Sequence, residues 1–155
     1  MTTDEIWMKY ALEQAKIAAS LGEVPVGAVV VYKNQIISRT YNLRERKKNA
    51  LYHAELLAID AACQTLGGWR LPECELFVTL EPCPMCAGAI VNSRIKRVVY
   101  GASDAKAGAC GSVLDLFCLP LNHRPEVLGG VLQPEASELL NLFFQQLREK
   151  RKFNG

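Results

Sequence analysis

The chain has no run of about 18 or more apolar residues, so no membrane-spanning helix is expected. It also lacks a basic-then-apolar leader. Met1-Thr2-Thr3-Asp4-Glu5 is acidic and runs directly into an amphipathic segment, so no secretory signal is expected and the default location is cytoplasmic. Charge of one sign is not in excess: 18 basic and 16 acidic residues leave a net +2. Any nucleic-acid contact therefore needs a local patch. No internal repeat, low-complexity segment or interdomain linker is visible, so residues 1–155 are expected to form one domain with a sizeable core. Histidine is scarce, with His53 and His123 alone. Six cysteines lack an oxidising setting, which argues against a disulfide framework. Only Cys83 and Cys86 have ligand spacing. Cys63, Cys74, Cys110 and Cys118 read as small buried hydrophobes or incidental thiols.

What is present reads as alternating helices and strands. Thr3 to Leu21 carries an apolar stripe at helical spacing (Met8, Ala11, Leu12, Ala15, Ala18), with Thr3 or Asp4 as the expected cap and Gly22 as the stop. Gly27 to Tyr32 is a compact apolar run expected to be a buried strand. Lys33-Asn34-Gln35 turns it back into a second strand, Ile36 to Tyr41. Asn42 to Lys48 is polar and basic and is expected to be an exposed loop. His53 to Leu66 is a helix apolar on more than one side, Glu75 to Leu80 a strand, and Pro84 to Ser93 a short helix opened by proline. Then come a strand (Arg97 to Gly101), a small-residue loop (Ala102 to Ser112), one helical turn (Val113 to Phe117) and a weak strand (Glu126 to Val131). The last helix runs from Pro134 to Lys152, with Leu139, Leu140, Phe143 and Leu147 inward. One of Phe143 and Phe144 is expected in the core. This order predicts an α/β fold, a three-layer α/β/α sandwich around one mixed sheet of about five strands.

The chemistry concentrates in His53-Ala54-Glu55 and Pro82-Cys83-Pro84-Met85-Cys86. One imidazole and two thiolates give zinc three protein ligands and leave a fourth position for water, which suits a catalytic ion. Residues two apart on a helix point to different sides. His53 and Glu55 therefore approach one metal only if it lies beyond the helix N-terminus. Cys83 and Cys86, three apart, share a face at the start of the next helix. Two positive helix ends would converge on one point, favouring thiolates and a bound anion. Glu55 would then move protons for the water. Taken singly, His53 is more simply a core histidine, and Cys83-x-x-Cys86 a redox pair or half of a structural zinc site completed by His123, Cys74 or Cys110. Together, the two motifs resemble the known signature of nucleobase zinc deaminases.

Over nearly its whole length the chain resembles the bacterial tRNA-specific adenosine deaminases, of the cytidine/deoxycytidylate deaminase superfamily. The resemblance is carried by Gly22-Glu23-Val24-Pro25-Val26-Gly27-Ala28, Tyr41-Asn42, His53-Ala54-Glu55 and Gly68-Trp69-Arg70-Leu71. It continues in Val78 to Ala89, Ser93-Arg94-Ile95, Arg97 to Ala102, Asp104 to Gly108, Asn122-His123-Arg124 and Phe143-Phe144. It implies a cytidine deaminase-like fold, conversion of a wobble adenosine to inosine, one Zn2+ per subunit on His53, Cys83 and Cys86, and Glu55 as proton shuttle. It implies that Asn42 hydrogen-bonds the flipped adenosine, that Val26 and the backbone at Ala54 shape its pocket, and that Asp104, Lys106, Asn122 and Phe144 touch neighbouring nucleotides. The expected partners are a tRNA anticodon stem-loop and a second copy of the chain, with no membrane. With this match, the Arg148 to Lys152 patch, otherwise a solvated helix end, becomes a candidate RNA contact. Ala50-Leu51-Tyr52 departs from the family's usual Pro-Thr-Ala before the histidine. Two other readings remain: a deaminase of a free base or nucleoside, of guanine or cytosine type, on the same fold, and a non-catalytic zinc-stabilised RNA-binding module, against which the presence of Glu55 argues.

Overall fold

The computed structural model describes residues 1–154. In chain order the elements are α1 (Thr3–Ser20), β1 (Gly27–Tyr32), β2 (Gln35–Tyr41), α2 (Ala54–Leu66), β3 (Cys74–Leu80) and α3 (Pro84–Asn92), then β4 (Arg97–Ala102), a 3-10 turn (Leu116–Cys118), β5 (Glu126–Leu128) and α4 (Gln133–Asn154). The five strands form one sheet in the order β2-β1-β3-β4-β5. β1 is antiparallel to β2 and β3, whereas β3, β4 and β5 run parallel, so the expected mixed sheet is present.

Alternation along β1 divides the core. Val29 and Val31 face a layer made by α1 and α4, with Met8, Leu12, Phe77, Val99 and Ala136. Ala28 and Val30 face the opposite layer of α2 and α3, with Ala58, Leu76, Val78, Ile90 and Val98. A strand buried on both faces is apolar at every position, which is why β1 reads as a solid run. α1 lies against β1 at Gly27, where a Cβ would strike the Ala11 carbonyl.

Several expectations need correction. The cap of α1 is Thr2, not Thr3 or Asp4. The Thr2 hydroxyl accepts from the Glu5 N–H (3.1 Å) and the Thr2 N–H donates to Glu5 Oε1 (2.9 Å), a reciprocal pair. The turn expected at Val113 to Phe117 forms at Leu116–Cys118, because the Asp115 carboxylate accepts the Phe117 N–H at 3.1 Å. β5 ends at Leu128, since Gly129 and Gly130 interrupt strand geometry (Gly130 φ 88°). Neither Phe143 nor Phe144 is core. Phe143 is half-buried and Phe144 is 41% exposed. α4 has 22 residues, about 33 Å, against strands of six or seven residues, about 20 Å. Its first turns dock through Ala136, Leu139 and Leu140, and the rest overhangs the sheet.

Candidate metal centre and active-site cleft

Two helix starts build the centre. His53 is the N-cap of α2 and Cys83 the N-cap of α3, both in extended backbone conformation (φ −77°, ψ 149° and φ −77°, ψ 174°). Neither side chain caps its own helix, so both are free to turn toward each other. Pro84 takes the first helical position of α3, where its missing N–H costs nothing. Cys86 follows two residues later on the same turn.

His53 Nδ1 lies 3.7 Å from Cys83 Sγ and 3.6 Å from Cys86 Sγ. All three ligand atoms lie within 4.8 Å of one another. A tetrahedral zinc with Zn–S of about 2.3 Å and Zn–N of about 2.0 Å separates sulfur from nitrogen by about 3.5 Å. The donor set and its spacing therefore fit a zinc ion bound through Nδ1, with a fourth position left to the cleft. His123 is not a ligand: its Nε2 donates to the Ile95 carbonyl at 2.7 Å. Cys74 and Cys110 are buried, Cys63 is half-buried and Cys118 exposed, and all six thiols are free.

The metal-free centre is electrostatically divided. The hydrogen bond from the Cys86 thiol, with the His53 ring, holds Cys83 down to about 4. Cys86 is pushed upward by that same bond and by burial. Hydrogen bonding to Cys83 raises His53. Burial pushes Glu55 up to about 7, only partly offset by its own backbone N–H and by His53. Glu55 is 4% exposed.

His53, Glu55 and Cys83 open into a cleft of about 530 Å³, an ordinary size for a small-molecule site. Val26, Asn42, Ala54, Asp104, Lys106 and Phe144 line the same cleft, so the fold brings together residues from five separate stretches. Cys86 is fully buried behind it. Asn42 Nδ2 donates to the Val24 carbonyl (3.3 Å) and its Oδ1 accepts the Arg44 N–H (3.2 Å), so this amide braces its loop while facing the cleft. Asp104 Oδ1 accepts the N–H groups of Lys106 (3.0 Å) and Ala107 (3.1 Å), a tight turn that presents Lys106. Lys106 and Phe144 also line an adjoining groove with Arg148 and Arg151. Asn122 is exposed between the 3-10 turn and β5 and lines neither cavity. Tyr52, half-buried, lines neither cavity, and its carbonyl accepts the Leu43 N–H.

Sequence reasoning gave no role to Arg44, which lines the cleft, nor to two buried glutamates, Glu23 and Glu81. The available signal was a carboxylate set among apolar residues, as in Leu80-Glu81-Pro82 and Glu23-Val24-Pro25.

Comparison with known proteins agrees with this geometry. The model of the MafB19-like deaminases matches residues 2–148. A tRNA-specific adenosine deaminase of Bacillus subtilis (strain 168) is 51% identical over 153 residues, 98% of this chain and 95% of that one. A solved structure described under A-to-I editing by tRNA:A34 deaminases at the wobble position of transfer RNA superposes with a TM-score of 0.85 at 43% identity, covering 87% of this chain and 99% of that one. A guanine deaminase from Bacillus subtilis superposes with a TM-score of 0.64 at 37% identity, covering 76% and 74%. By its family match and by relatives of this identity over nearly its whole length, the chain belongs to the MafB19-like deaminase family and, within it, to the tRNA-specific adenosine deaminases.

Proposed function

We propose that this protein hydrolyses the wobble adenosine of a tRNA anticodon loop to inosine, consuming water and releasing ammonia. The observation that carries the reading is the convergence of His53, Cys83, Cys86 and Glu55 at a cleft that α4 lines with Phe144, beside an adjoining groove that α4 lines with Arg148 and Arg151. The wobble position itself is supported by the 51% relative and by the tRNA:A34 deaminase structure.

In this reading His53 Nδ1 and the sulfurs of Cys83 and Cys86 hold zinc. Zinc, when bound, supplies the Lewis acidity that activates water near neutral pH. Glu55 takes a proton from the attacking water and delivers it to a purine ring nitrogen. It then hands the second proton to the leaving amine. A carboxyl poised near pH 7 gives and takes protons with little bias, which is what both steps require. Val26 and Ala54 shape the floor under the base, and the Asn42 amide offers a hydrogen bond to it after yielding one of its internal partners. Anticodon-loop bases are already unpaired, so extrusion is cheap. Asp104 and Lys106 meet the flanking nucleotides, Phe144 offers a stacking face, and Arg148 and Arg151 meet phosphates. Asn122 reaches RNA only from outside the cleft. A second copy of the chain belongs to the same proposal, and so does a cytoplasmic location, where tRNA is found.

The guanine deaminase likeness, at 37% identity over 76% of this chain, is what supports the free-base alternative. Groove and α4 favour the polymer substrate. Incubation with a stem-loop carrying adenosine at the wobble position should yield inosine at that position alone. Glu55→Gln should retain one zinc and bind the stem-loop while turnover falls about 10²–10⁴-fold. A fully active Glu55→Gln enzyme would refute the proton-transfer role.

A further inference from the structure

Besides Glu55, two glutamates are buried completely or nearly so (Glu23 0% and Glu81 2% exposed), and neither makes an ion pair among the described residues. Each instead collects hydrogen bonds from one loop at the mouth of the cleft. Glu81 Oε1 accepts the Asp104 N–H (3.0 Å) and the Ser112 hydroxyl. Its Oε2 accepts the N–H groups of Cys110 (3.0 Å) and Ser112 (3.1 Å). Glu23 does the same on the other side: Oε1 accepts the Glu45 N–H (2.9 Å) and Oε2 the Arg46 N–H (2.7 Å).

A buried carboxylate is costly unless it is satisfied, and backbone N–H groups satisfy it with bonds stronger than neutral ones. Each glutamate therefore adds charge-assisted bonds to the backbone bonds its loop makes within itself. The loop geometry is built around the acid. At Gly108 a Cβ would collide with the Glu81 carboxylate, so the chain passes there at a distance only glycine allows. Asp104 is itself one of the points that Glu81 grips, and Lys106 lies between it and Cys110; beside the points that Glu23 grips lie Asn42 and Arg44.

We propose that Glu81 and Glu23 are positioning residues that hold the two rims of the cleft in their substrate-binding arrangement before RNA arrives. The proposal rests on the functional reading above only for its substrate. Glu81 is the stronger of the pair: its strand end leads directly into Pro82-Cys83, so one side chain links the metal-binding turn to the rim that carries Lys106. Preorganising the rim removes an ordering cost from binding. Its loss should therefore appear in KM and leave chemistry at saturation largely intact.

The test uses Glu81→Gln, Glu23→Gln and the milder Ser112→Ala, which removes one hydroxyl donor and leaves the acid. Zinc content, stem-loop kinetics and amide hydrogen exchange of the zinc-loaded protein are measured together. In Glu81→Gln a side-chain NH2 confronts backbone donors. The Asp104, Cys110 and Ser112 amides should exchange about tenfold faster or more, KM should rise about tenfold, kcat should stay within about threefold, and one zinc should remain. Glu23→Gln should move the Glu45 and Arg46 amides instead. Ser112→Ala should give a smaller KM rise and keeps the question answerable if Glu81→Gln fails to fold. Unchanged KM despite faster exchange would overturn the positioning role. So would zinc loss or a uniform rise in exchange across the protein, because either makes Glu81 a support of the metal turn or of the whole fold. An inert wild-type enzyme on the stem-loop would strike the functional reading itself, an outcome distinct from an active wild type whose variants behave alike.

Discussion

Glu55 sits two residues from the candidate ligand His53 and is almost fully buried, and its ionisation is where pH meets stability. Its folded pKa of about 7 lies above the ordinary 4.5. Between those values the metal-free folded state keeps a proton that the unfolded state has released. The Glu55 contribution to the stability of the metal-free protein therefore falls as pH rises from about 4.5 to 7 and levels off beyond. Glu55→Gln carries no such penalty. With metal chelated and thiols kept reduced, this variant should be more stable than wild type at pH 8, by on the order of 3 kcal/mol, and the gap should close toward pH 4. Urea unfolding at the two pH values measures it, and a gap independent of pH would contradict the burial argument. The candidate ligands His53, Cys83 and Cys86, which the structure brings within 4.8 Å of one another, were legible in the sequence because zinc chemistry is specific for residue type and spacing. Glu23 and Glu81 were not, because their partners are backbone N–H groups 22 to 31 residues away in sequence, which no local pattern records.

Among the elements, α1 is pinned to the sheet at its N-terminus by a fork. Arg97 of β4 donates to Asp4 through two nitrogens (2.8 and 2.7 Å) and to Glu75 of β3 (3.0 Å). The Arg97 hydrogen bonds hold the Asp4 carboxyl below its ordinary 3.8. That contribution is present above the ordinary value and is lost as pH falls through the lower folded one. Asp4→Asn should cost about 1 kcal/mol at pH 7, since the pair is roughly a quarter exposed, and close to nothing well below pH 3. Thermal melts across that range read the difference. α4 carries the other element-scale prediction. Its overhanging half supplies Arg148 and Arg151 but little of the core. Charge reversal at both should leave the melting temperature nearly unchanged and weaken stem-loop binding. It should also reduce the slope of log affinity against log salt by about 0.7–0.9 for each phosphate contact removed. An unchanged slope would take α4 out of the RNA track. Helical spacing made α4 visible in the sequence, but not its overhang, because periodicity gives the face of a helix and not the length of what it packs against. The short β5 was blurred for a related reason: three exposed residues carry no alternation to read.

At the scale of the whole molecule, a mixed five-stranded sheet holds two helix N-termini side by side, and the cleft opens where they meet. The strand-helix alternation and the solid apolar run of β1 made that architecture legible. The rim was less so, since it joins residues from the 42–48 and 103–112 loops and from α4 that meet only in three dimensions. The metal centre sets the reaction and the rim sets the substrate, so the account's central claim concerns the rim. The most direct test is a comparison of kcat/KM for an anticodon stem-loop with wobble adenosine against free guanine, cytosine and adenosine, all with the zinc-loaded protein. The account predicts inosine in the stem-loop and a kcat/KM for each free base or nucleoside lower by at least about 10³-fold, the reach of several lost rim contacts. Rapid turnover of free guanine beside an inert stem-loop would contradict it.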